Sequence, residues 1–155
     1  MDWYDEWREL SSEPGTSEYY HTKQWLNFRA SGQGPYFGQA VRIKVHRKKQ
    51  LRSVTDRYIN EVHGVAGVLD QALERKQYLV NGKPSYAENF FVFWFKGLPW
   101  ALGDAINPEE RFPHVHTWLN GFEIASFGHN CSISGVIIAF ARQKMEESHA
   151  TRMLP

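Results

Sequence analysis

Apolar residues recur at steps of three and four through the middle of the chain. Val54, Tyr58, Val62, Val65, Leu69, Ala72 and Leu73 form one stripe, which predicts an amphipathic helix over 54–75, about 30 Å long. Gly64 and Gly67 lie inside it. Each costs about 1 kcal/mol relative to alanine, so their presence predicts a second backbone packed closely against that helix. Upstream, Tyr20, Trp25, Leu26, Phe28 and Ala30 give an apolar face of imperfect helical spacing. That helix is expected to start after Thr16 or Ser17, either of which can cap the first free amides. Ser31-Gly32-Gln33-Gly34-Pro35 then interrupts it. Two glycines lower helix propensity and the proline clashes with the preceding turn, so the helix stops or kinks there. Tyr36, Phe37, Ala40, Val41 and Ile43 resume the apolar pattern. The alternation across Val41–His46 offers a strand as the competing assignment, but no second strand of similar quality lies nearby, which favours helix.

Asn81-Gly82-Lys83-Pro84 is a turn. Ser85 and Glu88 have the spacing of a capping box: the serine hydroxyl serves the amide of Glu88, and the glutamate reaches back to the amide of Ser85. Phe90 to Phe95 is apolar on every side, which predicts a buried helix. Gly103-Asp104 and Asn107-Pro108 mark the next break. A short helix is expected from Phe112 to Leu119, with Pro113 in its first turn, and a last one from Ser134 to Met145. Residues 1–17 read as a linker or lead-in segment and 18–155 as one all-α domain, a bundle of five or six helices. No internal repeat is visible.

Composition narrows the picture. A chain of 155 residues suits one domain with a single core. Hydrophobic residues make up 42% and charged residues 23%, as in ordinary globular proteins, but aromatics reach 15%. That density implies a large core or a face for something flat and apolar. The formal charge of +1 steers no particular partner. Cys131 is the single cysteine, so neither an internal disulfide nor a cysteine zinc motif can form. The acidic start lacks the apolar core of a signal peptide. The longest apolar stretch, Ile133–Ala141, is far shorter than the about 20 residues of a membrane helix. A cytoplasmic protein without a membrane partner is expected.

Three chemical motifs have competing readings. Arg42, Lys44, Arg47, Lys48, Lys49 and Arg52 form a basic run with no acid between. It could contact nucleic-acid phosphates or attract an anionic thiol peptide. It could equally be a solvated helix end, which the balanced charge elsewhere favours, so no nucleic-acid partner is expected. His114 and His116 diverge by about 160° on a helix, and a metal needs three or four convergent ligands, so no metal is expected. Cys131 beside His129 could be an activated thiolate, but its turn-like context favours an inert thiol.

One segment carries a family signature. Gln24-Trp25-Leu26-Asn27-Phe28-Arg29-Ala30-Ser31-Gly32-Gln33-Gly34-Pro35-Tyr36-Phe37-Gly38-Gln39 resembles the first helix of the C-terminal domain in fungal glutathione transferases. The nearest branch is the one related to the yeast nitrogen-regulator prion protein. Arg57–Val62, Val68–Leu73, Tyr78–Ala87, Phe112–Val115 and Trp118 resemble later blocks of the same domain. Two departures stand out: the family usually has aspartate where this chain has Glu88, and its Arg-Pro ending after Trp118 is missing.

The resemblance implies an all-helical bundle that normally follows a thioredoxin-like domain holding most of the glutathione site. The chain is expected to stand without that domain, or to be a fragment of a longer product. The resemblance also implies glutathione as co-substrate or cofactor and a hydrophobic small-molecule substrate. The reaction would be thiol addition (conjugation) or addition–elimination (cis–trans isomerisation), in a setting such as fungal secondary metabolism. It places Phe28, Ser31, Gln33, Tyr36, Phe37 and Arg42 at the substrate site, with the broken helix turning Gln33, Tyr36 and Phe37 toward a cleft. Tyr36 is the candidate catalytic group, able to donate to a thiolate or enolate, or else a packed aromatic with its hydroxyl in water. Family proteins are usually dimers, so a homodimer is expected. The alternative is a non-catalytic binding or assembly module.

Overall fold

The computed structural model describes residues 10–47, 51–80 and 82–126. The expected helix at Ser134–Met145, the apolar stretch at Ile133–Ala141, and Lys48, Lys49, His129 and Cys131 lie outside them. Six α-helical stretches appear: α1 (Ser17–Phe28), α2 (Gly34–Val41), α3 (Arg52–Leu73), α4 (Tyr86–Leu102), α5 (Pro108–Arg111) and α6 (Pro113–Ser126). No strand occurs among the described residues. The described residues form the all-helical bundle expected from the apolar periodicity. No helix among the described residues is long and apolar enough to cross a membrane.

Thr16 caps α1, its Oγ1 accepting from the Tyr19 amide at 3.3 Å. The chain neither stops nor breaks at Ser31–Pro35. A π-helical turn, Arg29–Gln33, joins α1 to α2, and the Gly34 amide donates five residues back to Arg29 O. Pro35 thereby stands in the first turn of α2, where proline is tolerated. Val41–His46, the stretch with strand-like alternation, is helical too, its last five residues forming a second π-helical turn over Arg42–His46. Only Ile43 of that turn is buried.

α3 packs on α2 and α6, and α4 packs on α1 and α2. Val62, Val65, Leu69 and Leu73 of α3 meet Phe37 and Ala40 of α2, Phe91, Phe95 and Leu98 of α4, and Val115 and Trp118 of α6 in one core. The stripe predicted for α3 is therefore the face that is buried. The reading of its glycines needs correction. A Cβ on Gly64 would meet nothing within 4 Å, and one on Gly67 would meet only the Phe112 ring at 3.9 Å. Among the described residues no neighbouring backbone approaches either position, so close packing of those elements does not explain them.

α4 also departs from expectation. Its inner face is buried, but Phe90 and Phe93 are each 39% exposed and Trp100 54%. The helix is apolar all round because two faces are apolar, and only one is covered by the described elements. Pro99 lies within its last turns.

The start of α4 is the most heavily bonded point of the bundle. Both arms of the Ser85–Glu88 capping box are made. Glu88 Oε2 accepts from the Ser85 amide at 2.8 Å and from the Ser85 hydroxyl. Glu88 Oε1 accepts from the Leu79 amide at 2.8 Å. The side chain has no solvent exposure, so these donors replace the water it loses. Residues of the lead-in segment attach to the same point: the Tyr86 amide donates to Leu10 O at 3.1 Å, and Lys83 Nζ to Ser11 O at 3.1 Å.

Removing the carboxylate would strand buried donors, each costing about 1–3 kcal/mol. We predict that Glu88→Ala lowers the unfolding free energy by about 3 kcal/mol. Glu88→Asp keeps the short arm to Ser85 and loses reach to Leu79, so it should cost about 1 kcal/mol. Urea unfolding of the three proteins checks this; equal stabilities of Glu88→Asp and Glu88→Ala would contradict the division of the two arms.

Candidate functional site

Two regions bring chemistry-bearing side chains together. The first is the π-widened passage from α1 to α2. Gln33 sits in the last π-helical position with no solvent exposure. Its Nε2 donates to Phe91 O in α4 at 3.2 Å, while its Oε1 has no partner among the described residues. Phe37, one turn on, is fully enclosed. Its ring meets Phe95 edge to face at 5.2 Å and Trp94 at 6.2 Å. Phe28 is half-buried beside Trp25 and Phe91, with ring centroids at 5.9 and 6.3 Å. Tyr36 is half-buried against the core.

The other two expected site residues point elsewhere. Ser31 is exposed, its hydroxyl donating back to Asn27 O at 2.8 Å. Arg42 is exposed at the start of the second π-helical turn. The six positions therefore do not share one face. Gln33 and Phe37, expected to turn toward a cleft, are enclosed between α2 and α4. The physical reason lies in the interrupted helix itself: it stays continuous, so its apolar positions keep facing the core. Arg29 adds a contact absent from the expected set, its guanidinium lying 5.3 Å from the centre of the exposed Phe90 ring.

The second region was not foreseen. A cavity of about 320 Å³ opens between the C-terminal end of α3, the turn before α4, and α6. Its walls include Tyr78, Trp118 and Phe122, with Lys76 and His114 at hand. Phe122 meets the Trp118 ring at 5.4 Å and the Tyr78 ring at 6.4 Å, both edge to face. His114 is held by Asp70 from α3. Asp70 Oδ1 accepts from the His114 and Val115 amides at 2.8 and 3.0 Å, capping the start of α6. Its Oδ2 accepts from His114 Nδ1 at 3.0 Å. His116 faces away from this pair and meets Asn120 Nδ2 at 3.3 Å. Sequence could have flagged Asp70 only as a polar break near a helix stripe, since its partners are 44 and 45 residues away.

Of the basic run, Arg42, Lys44 and Arg47 are exposed, and Arg52 pairs with Asp56 at 3.8 Å one turn along α3. Exposed pairs of this kind contribute little. Among the described residues no three His, Cys, Asp or Glu side chains gather as metal ligands.

An all-helical bundle built round an apolar helix, which is opened by a buried capping box and crossed by a π-interrupted first helix, defines a transferase-type C-terminal domain. Residues 35–124 match the family model for the glutathione S-transferase C-terminal domain, and the chain belongs to that family. Among curated proteins it is similar to the glutathione S-transferase-like protein gedE of Aspergillus terreus, at 35% identity over 126 residues, 76% of this chain and 56% of that protein. It is 34% identical over 127 residues to glutathione S-transferase 1 of Schizosaccharomyces pombe, again covering 76% and 56%. The chain thus spans little more than half the length of these relatives. Among solved structures it resembles the glutathione transferase URE2P8 from Phanerochaete chrysosporium, crystallised with oxidized glutathione, with a TM-score of 0.76 and 31% identity over 94% of this chain and 62% of that one.

Asp70 holds two amides of α6 from a neighbouring helix, so its loss should act as the loss of a helix cap. We predict that Asp70→Ala destabilises the chain by about 1–2 kcal/mol and Asp70→Asn by less, because the amide oxygen still accepts. Thermal unfolding of both variants checks it; an unchanged melting temperature in Asp70→Ala would refute the cap.

Proposed function

We propose that this chain takes part in glutathione-dependent thiol chemistry on a hydrophobic small molecule. The observation that carries this reading is its likeness over 94% of its length to a transferase crystallised with oxidized glutathione. The thiolate of glutathione would add to a soft electrophilic carbon. If the new carbon–sulfur bond stays, the reaction is conjugation. If the thiol leaves after rotation about the former double bond, it is cis–trans isomerisation. The protein's part is to hold thiol and acceptor in line and to favour the thiolate. We place this in a tailoring step of fungal natural-product synthesis, on the strength of the fungal relatives.

Within the proposed substrate site, Phe28, Ser31, Tyr36 and Arg42 have surface to offer, and Tyr36 and Arg42 carry the chemistry. The Tyr36 hydroxyl would donate to the thiolate or to a developing enolate, and Arg42 would attract the anionic peptide. Phe28 and Ser31 would flank them. Gln33 and Phe37 would act from behind, fixing the π-widened turn against α4 rather than touching the ligand.

One observation favours a second reading. The exposed face of α4, with Phe90, Phe93 and Trp100, leaves apolar surface that suits assembly. On that reading the chain is a binding or assembly module, and on either reading we propose a homodimer.

Calorimetric titration of the chain with reduced glutathione separates the two. The transferase reading predicts saturable binding near one per chain, and weaker thiol turnover in Tyr36→Phe without loss of stability. No heat at millimolar glutathione would overturn it and leave the assembly reading.

A further inference from the structure

The cavity between α3 and α6 stands apart from the proposed thiol chemistry, since no residue of the π-interrupted helix lines it. We propose that it is a second ligand site, for a neutral phenol whose O–H donates to His114.

α6 supplies one wall. His114, Thr117, Trp118, Gly121 and Phe122 all line the cavity, and steps of three and four put them on one face of the helix. Two of these side chains carry a free acceptor. Nδ1 of His114 lies 3.0 Å from Asp70 Oδ2, so the proton of the neutral ring sits on Nδ1 and Nε2 keeps its lone pair. Nε2 has no partner among the described residues. The Thr117 hydroxyl donates to Pro113 O at 2.9 Å, which commits its proton and leaves its oxygen to accept. A ligand matched to this wall must therefore bring the proton itself.

The rest of the cavity selects the class of donor. Its volume of about 320 Å³ lies within the range of small-molecule pockets, about 300–1,000 Å³. The rings of Tyr78, Trp118 and Phe122, set edge to face, favour a flat aromatic body. Lys76 also lines the cavity, and its positive charge disfavours a cationic donor such as an ammonium group. A carboxylic acid would arrive ionised at neutral pH, without the proton that His114 accepts. A phenol is flat, keeps its proton at neutral pH and donates it readily. Asp70 completes the arrangement. Its Oδ1 is held by the His114 and Val115 amides at 2.8 and 3.0 Å, so the imidazole is oriented before a ligand arrives. A carboxylate on Nδ1 also makes Nε2 the more basic.

The probe is 2-naphthol, with its methyl ether 2-methoxynaphthalene, which cannot donate, as the counterpart. Both are titrated by calorimetry without glutathione at pH 8, above the ordinary range of a histidine and below that of a phenol. Two variants read the site. His114→Phe keeps a ring and removes the acceptor, while Asp70 can still cap the α6 amides. Gly121→Leu fills the space, since a Cβ there meets nothing within 4 Å. Leucine also raises helix propensity, so this variant should fold. We expect one saturable naphthol site, with the ether weaker by about tenfold. In His114→Phe that preference should vanish, naphthol falling to the level of the ether. In Gly121→Leu both should be lost. Equal binding of naphthol and ether to the unaltered chain, a preference that survives His114→Phe, undiminished binding in Gly121→Leu, or no saturable naphthol binding at millimolar concentration would each overturn the proposal. Because glutathione is absent, failure here would leave the transferase reading untouched.

Discussion

The bundle depends on one buried carboxylate. Glu88 has no solvent exposure and gathers the amides of Leu79 and Ser85 and the hydroxyl of Ser85. A carboxyl group buried in this way needs its oxygens hydrogen-bonded, so Leu79 and Ser85 must present their amides together at the start of α4. Everything else leans on that start. Leu10 and Ser11 accept hydrogen bonds from Tyr86 and Lys83. α1 and α2 pack along the helix that Ser85 opens, and Gln33 donates to its Phe91 carbonyl. Leu79 and Val80, on the approach to the box, are themselves core residues.

The π-widened turn solves a second problem in the same place. A proline and two glycines in mid-helix would ordinarily end it. Adding one residue to the turn lets Arg29–Gln33 run on into α2 and rotates Gln33 inward. The unpaired Oε1 of Gln33 is the residual cost, while its Nε2 ties the widened turn to α4. Gln33 and Phe37 thus fix the widened turn from behind, with Tyr36 and Arg42 nearer the solvent.

Much of this was legible in the sequence because it depends on local chemistry. The cap at Thr16, the box at Ser85 and Glu88, the stripe on α3 and the proline opening α6 are short-range signals, and each takes its expected place. Where long-range contacts decide, the sequence was a poorer guide. Nothing in a glycine reveals whether a neighbour will approach it, and Gly64 has none within 4 Å of a Cβ among the described residues. An apolar run such as Phe90–Phe95 cannot say which of its faces will be covered. The third donor to Glu88, from Leu79, comes from nine residues away across a turn. Asp70 meets His114 only because α3 and α6 lie side by side. The resemblance and the interrupted helix suggested that Gln33 and Phe37 turn toward a cleft, but only packing against α4 decides that they face inward.

Amide hydrogen exchange at Leu79 and Ser85, followed by NMR, tests the central claim most directly. If the buried carboxylate holds the start of α4, both amides should exchange only through the global opening that exposes Phe91 and Phe95 in the middle of the helix, and with the same free energy. Exchange of Leu79 or Ser85 at the rate of an ordinary surface turn, while Phe91 and Phe95 stay protected, would contradict it.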